Sequence, residues 1–463
     1  MTELFESKLS VINLGLESFA KNLQEVGTTV EHLQWQPVAQ GDIEANWALA
    51  KLMADSRVNQ ANEVALSRYL SANPVLKDIG VASEVIEGLK GRKKVLHAGP
   101  PIAWEDMCGP MQGAIAGAIV LEGWASSTDE AVKLVKKGEV EVEPCHHHHA
   151  VGPMSGIISP SMPVWIVENT DLCNIAFSNF NEGLGKVLRF GANSEEVLTR
   201  LAWMRDVLAP SLKEALHLVG PIELKPLISQ ALHMGDECHN RNAAATGLLL
   251  KKLASALARV PNGPQAIDFI ASNDHFFLNL SMAACKAMLD AASNVPYSTM
   301  VVTMARNGVN FGVRLSGTGD QWFQAPANPV NGLFFPGYGI EDAAADLGDS
   351  AITETAGIGG FAMAASPAIV KFVGGTPMDA VANSLRMQEI TLSTNPTFTL
   401  PALNFSGSGC GIDARKVVDK NILPIINTGI AHKKAGVGQI GAGITTAPLT
   451  CFINGLLAVE ETL

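Results

Sequence analysis

The pattern of apolar residues changes twice along this 463-residue chain, and those two changes constrain its fold more than any other feature. Before position 194 and after 299 the apolar residues come in short runs suited to strands. Between about 194 and 292 they recur at helical spacing instead, with Trp203, Leu208, Leu212 and Leu216 in phase. Strand-like segments on both sides of a long helical one predict a mixed α/β (α+β) chain with an inserted helical subdomain. The expected division is a Rossmann-like N-terminal α/β part at 1–90, a central α/β part at 91–194, helices at 195–295, and a Gly-rich C-terminal α/β part at 296–463 completing the central layer. At this length two to four domains are the prior.

Inside the helical stretch lies a polar interruption at 233–242: His233, Asp236, Glu237, Cys238, His239, Asn240, Arg241 and Asn242 within ten residues. Leu224, Leu227, Ile228, Ala231 and Leu232 precede it at helical spacing, and 243–250 is again apolar. Unpaired polar groups are costly to bury. The cluster is therefore either a solvated turn or the lining of a cleft that binds something small and polar.

The flanks carry further candidates. Residues 11–15 and 30–35 read as strands around a helix through Phe19, Leu23 and Val26, the start of a layer with parallel strands. Only Gly15 stands where a dinucleotide fingerprint needs three glycines, so no nucleotide cofactor is expected. His97 ends the strand 94–97, beside Pro100 and Pro101. Gly109, Gly113 and Gly117 recur every four residues, which suits close helix packing. His146, His147, His148 and His149 follow one another; in a strand they would alternate between two faces. Asn307-Gly308 is a hairpin signal flanked by Arg306 and Arg314. Finally, 346–360 packs carboxylates, hydroxyls and glycines ahead of an apolar run at 361–373 that reads as a helix, a junction whose backbone N–H groups suit an anion. No Gly-Lys-Ser/Thr follows, which excludes a P-loop.

Composition narrows the function classes. A net charge of -12 without a basic run argues against a nucleic-acid binder. Seven cysteines with no C-x-x-C pair suit a reducing cytosol rather than a disulfide framework. No signal peptide is read at the N-terminus, and the most apolar stretches, 111–121 and 361–373, do not suit a bilayer span, so a cytoplasmic protein without a membrane segment is expected. Charged residues are only 17%, which predicts surface covered by partner subunits, in a homo-oligomer or hetero-complex.

Five strings taken together, 96–101, 231–242, 303–308, 348–355 and 431–433, resemble the YlbE/YahG/AllG-like family in the same order through nearly the whole chain, and most of all its YahG-like branch. The run His146 to His149 departs from the mixed His/acid string of that family. The resemblance implies one subunit of an oxamate carbamoyltransferase-type complex, working with an FdrA-like subunit and a third protein. Phosphate would attack the carbamoyl group of a ureide such as oxalurate, releasing carbamoyl phosphate and oxamate, and a carbamate kinase would use the carbamoyl phosphate. No added cofactor is implied.

Such a transfer needs an anion clamp, oxyanion donors and a proton donor for the leaving nitrogen. The candidates are Arg306, Arg314 and Arg241 for the clamp, and Asn240, Asn242 and Asn307 for the oxyanion. His233, His239 or His97 would serve as acid, oriented by Asp236, Glu237 or Glu354, with Thr353 at the substrate. Two alternatives stand beside this reading. One is a metal-dependent amidohydrolase liganded by His146, His148, His233 and His239; the other is a non-catalytic scaffold for the FdrA-like partner. A single site requires His97, 233–242, 306–314 and 349–354 to converge.

Overall fold

A computed structural model describes residues 9–33 and 37–463. The readings for 1–8, and the extension of the second strand to Trp35, lie outside the described residues. Helices and strands are mixed throughout, as an α/β chain requires. The first unit is βαβ: strands Ser10–Leu14 and Thr29–Leu33 pair in parallel around the helix Glu17–Glu25. Lys94–His97 and Glu141–Pro144 also pair in parallel. The larger sheets depart from the parallel layer expected at the outset. In the five-stranded sheet only Ala150–Val151 against Ile175–Asn179 is parallel; the pairs among Pro163–Asn169, Pro74–Val81 and Ile222–Glu223 are antiparallel. A four-stranded sheet built on Val301–Asn307 and a three-stranded one built on Ile425–Ala431 are antiparallel throughout.

From Glu195 to Ala291 the chain is helical apart from short connections and the two-residue strand Ile222–Glu223. The last of these helices, Leu278–Ala291, is buried on nearly every face and packs against the five-stranded sheet. One continuous apolar core joins these helices to the strands on both sides.

Local sequence accounts for several junctions. Asn307-Gly308 turns the hairpin between Val301–Asn307 and Asn310–Leu315; the Asn307 side-chain oxygen accepts the amides of Val309 and Asn310, and Gly308 takes φ +82°. The glycines of helix Gly109–Leu121 admit neighbouring chain: a Cβ at Gly113 would lie 2.6 Å from the Gly191 carbonyl oxygen. The expected helix over 361–373 is broken instead. It consists of 3₁₀ segments Gly359–Ala365 and Pro367–Ile369 and a single turn Val370–Val373. Pro367 disfavours helical geometry at Ser366, which takes φ -128°, ψ 70°. The four histidines do not alternate as in a strand. Cys145–His148 is a 3₁₀ turn closed by His149 at φ +52°. Among the described residues no helix is long and apolar enough to cross a membrane.

Candidate functional site

The helix Leu224–His233 ends at Gly235, φ +98°, and the chain then turns sharply before the helix Ala243–Leu257. Asp236 anchors the start of that second helix by accepting the Ala245 amide at 2.8 Å. Cys238 takes a left-handed backbone, φ +63°, with its N–H donated to the Arg241 carbonyl and its own carbonyl held by the Ser281 hydroxyl. A non-glycine residue held there is strained, and buried strain of this kind concentrates at functional sites. It lies between Glu237 and His239, and both of these side chains are buried.

His239 donates Nδ1–H to Glu354, whose two carboxylate oxygens lie at 2.8 and 2.9 Å. Glu354 is buried and further held by the Gly360 amide at 2.8 Å, the Asn427 amide at 3.2 Å and the Thr353 hydroxyl at 3.0 Å. The glycine-rich junction at 346–360 thus does bind a carboxylate, but the protein's own. Gly359 makes room for it: at φ +60°, a Cβ there would lie 2.2 Å from Glu354 Oε1. Glu237, the neighbouring carboxyl, accepts the Arg241 amide at 2.6 Å and the His239 amide at 3.3 Å. Burial, reinforced by Glu354 and opposed by His239, raises its pKa to about 7. The two carboxyl groups therefore differ in kind: Glu354 is rich in donors, and Glu237 holds a proton near neutrality.

With Nδ1 committed to Glu354, Nε2 is the ring nitrogen of His239 left to face a small cavity of about 20 Å³. Pro153, Met154, Arg189, Asn240, His275 and Ser350 are among its walls. Leu184, Asn240, His275 and Gln439 are shared with a cleft of about 910 Å³, which Arg241, Asn242 and Lys371 also line. That is the scale of a ligand site with a narrow inner end. Asn240 Nδ2 is buried there without a hydrogen-bond partner. Burial, with Arg189 and His239 nearby, takes His275 down to about 3, so it stands neutral in the wall. Arg189 donates Nε and Nη2 to the Gly183 carbonyl, and burial lowers its pKa to about 10.

Other candidates lie elsewhere. Arg306 is fully buried, and each of its five N–H groups has an internal partner. Asp346 takes two at 2.6 and 2.9 Å, and Gly348 carbonyl, Ser350 Oγ and Thr428 Oγ1 take the rest. It is not an anion clamp; it braces the wall that Ser350 and Gly429 present to the cavity. Asn307 is used in its turn and by the Pro100 carbonyl, not as an oxyanion donor. His233 is exposed, bonded to Thr399 Oγ1 at 2.8 Å and packed edge-on to Phe405, and lines neither the cavity nor the cleft. Buried His97 bonds the Ala98 carbonyl and faces Asp349 and Glu143, and Arg314 packs on Trp322. Asn242 donates to the His239 carbonyl at 2.6 Å. The four proposed metal ligands each face a different partner, His146 meeting Asp349, His148 Glu143, His233 Thr399 and His239 Glu354. Among the described residues no group of three or more His, Cys, Asp or Glu side chains is arranged to hold a metal.

Of the four segments expected to converge, 349–354 touches the other three, Glu354 bonding His239, Ser350 accepting from Arg306 and Asp349 facing His97, but His97 and Arg306 line neither the cavity nor its cleft. Arg189, His275, Gln439 and Asn427 escaped the sequence reading. Only Asn273-Asp274-His275, a polar triplet between two apolar helices, carried the signal that singled out 233–242.

A family model described as oxamate carbamoyltransferase subunit AllG matches residues 140–350. The chain is 48% identical over 462 residues to the uncharacterized protein YahG of Escherichia coli K12, covering 98% of each. It is 49% identical over 412 residues to oxamate carbamoyltransferase subunit AllG of the same organism, covering 88% of this chain and 98% of that one. The crystal structure of a conserved protein of unknown function from Enterococcus faecalis V583 superposes with a TM-score of 0.86 at 48% identity, over 88% of this chain and 98% of that one.

Proposed function

Since the chain belongs to the AllG/YahG family, we propose that it is the subunit of a ureide carbamoyltransferase complex in which His239 carries the proton. The observation that carries this reading is the half-committed imidazole. Nδ1 is fixed on Glu354, Nε2 is left toward the cavity, and Asn240, whose amide Nδ2 is unpartnered, lines the same cavity. That pairing of an oriented histidine with an open nitrogen is what general acid–base catalysis requires.

The step follows from the bonds. A phosphate oxygen attacks the carbamoyl carbon of an oxalurate-like ureide, forming a C–O bond; the C–N bond to the leaving amide then breaks. His239 Nε2 takes the proton of hydrogen phosphate and delivers it to the leaving nitrogen, so the products are carbamoyl phosphate and oxamate. Asn240 Nδ2 donates to the carbamoyl oxygen as it gains charge. Arg241 and Lys371, along the outer cleft, attract the two anionic reactants. Glu354 and Thr353 act through His239 as positioning residues, and Glu237 and Asp236 hold the turn that presents it. An FdrA-like subunit and a third protein complete the complex.

The test is co-expression with the FdrA-like neighbour, followed by assay of carbamoyl phosphate formed from oxalurate and phosphate. Activity in the complex that collapses on His239→Asn supports the reading. Undiminished turnover by that variant would sink the assignment, and a complex inert toward every ureide offered would sink the reaction class.

A further inference from the structure

The histidine run opens onto a second buried polar centre, none of whose residues lines the His239 cavity or its cleft. The His146 side chain is wholly shielded from solvent, yet neither ring nitrogen makes a well-aligned hydrogen bond. Its Nε2 lies 3.3 Å from Asp349 Oδ1, and Asp349 is already held by the amides of Gly99 at 2.7 Å and Gly152 at 3.0 Å. The Arg314 Nε is likewise buried and unpartnered. Lys286, 1% exposed, uses one of its three N–H groups, on Asp290 at 2.6 Å. Trp322 ties His146, His147 and Arg314 together, and Lys286 lies within electrostatic range of His146 and Arg314. The Trp322 ring meets His146 edge-on at 5.6 Å and Arg314 at 5.7 Å, and its N–H donates to His147 Nε2 at 2.9 Å.

The remaining counter-charges are engaged. Asp290 also accepts from His149, and Asp320, which pairs with Arg314, is 92% exposed on the solvent side. Buried donors therefore outnumber buried acceptors: the Arg314 Nε–H and two Lys286 N–H groups lack partners, against one bare ring nitrogen of His146 turned away from Asp349. A water molecule accepts two hydrogen bonds and leaves a third donor bare, at a cost of about 1–3 kcal/mol. A cation is repelled by Lys286 and Arg314. A tetrahedral oxyanion accepts from all of them.

We propose that His146, Lys286 and Arg314 form a binding site for a small oxyanion of the phosphate type, with Trp322 as its outer wall. It is separate from the transfer centre and does not depend on the chemistry assigned there. The two communicate through adjacent residues: Asp349 abuts the anion site, and Ser350 lines the His239 cavity.

Crystals of the full-length protein grown in selenate, an isostere visible by its anomalous signal, test this directly. The expected result is a peak within hydrogen-bonding distance of His146 and of Lys286 or Arg314, unchanged in His239→Asn. Calorimetric titration with inorganic phosphate is expected to lose at least about tenfold in affinity in His146→Gln and Arg314→Gln, and to keep most of it in Arg314→Lys. Ordered water in place of the peak, or a peak confined to the His239 cleft, overturns the proposal whatever the variants do. Displacement of phosphate by acetate at equal ionic strength overturns the phosphate assignment. Failure of carbamoyl transfer leaves all these readouts intact, so the two proposals fail separately.

Discussion

Arg306 and His239 are both buried charged or titratable side chains bonded to a carboxylate, yet they differ in how completely they are satisfied. Arg306 has a partner for each of its five N–H groups, so nothing remains for a ligand. His239 has one nitrogen fixed by Glu354 and the other toward a cavity. The first arrangement holds loops together; the second is ready to exchange a proton. The lesson is that burial and charge do not separate structural from chemical roles, whereas the count of unsatisfied donors and acceptors does.

The largest effect expected on this comparison is on turnover. Replacing His239 with Asn in the assembled complex is expected to lower carbamoyl transfer by about 10²- to 10⁴-fold while leaving thermal unfolding near that of the parent. Glu354→Gln should lower it too, because a carboxamide does not fix the imidazole tautomer in the same way. Equal loss of stability and activity in both variants would erase the difference between His239 and Arg306.

Arg306→Met should do the reverse. It leaves Asp346 buried without its partner, and a loss of about 3–5 kcal/mol of unfolding free energy is expected, measured by denaturant titration. If Arg306→Met instead unfolds like the parent but fails to turn over, Arg306 belongs with His239.

A comparable but pH-dependent effect attaches to Glu237. Its pKa is about 7 in the folded protein against an ordinary 4.5, so the folded state holds the proton more tightly than the unfolded chain. That stabilisation is complete below pH 4.5 and is lost as the pH rises through 7, amounting to about 3 kcal/mol over the window. Glu237→Gln should flatten stability across that range, and unchanged slopes in unfolding experiments at pH 5 and pH 8 would contradict it. The smallest effect is expected of His233→Ala, with its exposed ring: within about 0.5 kcal/mol in stability and no change in turnover.

Much of the local architecture was legible in the amino-acid order because its causes are local. The helical run after Glu195, the Asn307-Gly308 hairpin and the glycine-faced helix Gly109–Leu121 follow from periodicity, turn chemistry and residue size. Where reading failed, a stronger neighbour prevailed. Pro367 broke the apolar run at 361–373, and the histidine run adopted a 3₁₀ turn that strand alternation does not describe. The polar segment 233–242 was recognisable as a candidate site, since ten residues of that composition between apolar helices have few cheap places to go. Its working pair was not, because Glu354 lies 115 residues beyond His239 and competes on paper with Asp236 and Glu237.

What the order of residues determined by itself is therefore the set of elements and the short list of polar groups able to do chemistry. Periodicity and turn preference act over a few residues and need no partner. Tertiary structure alone decided which of those groups are completed and which are left open. It gave Arg306 five internal acceptors, gave Glu354 the amides of Gly360 and Asn427, and left His239 Nε2, Asn240 Nδ2 and His146 unanswered. The physical reason is that satisfaction of a hydrogen-bonding group depends on what packs against it in space, and those partners come from segments that periodicity cannot bring together.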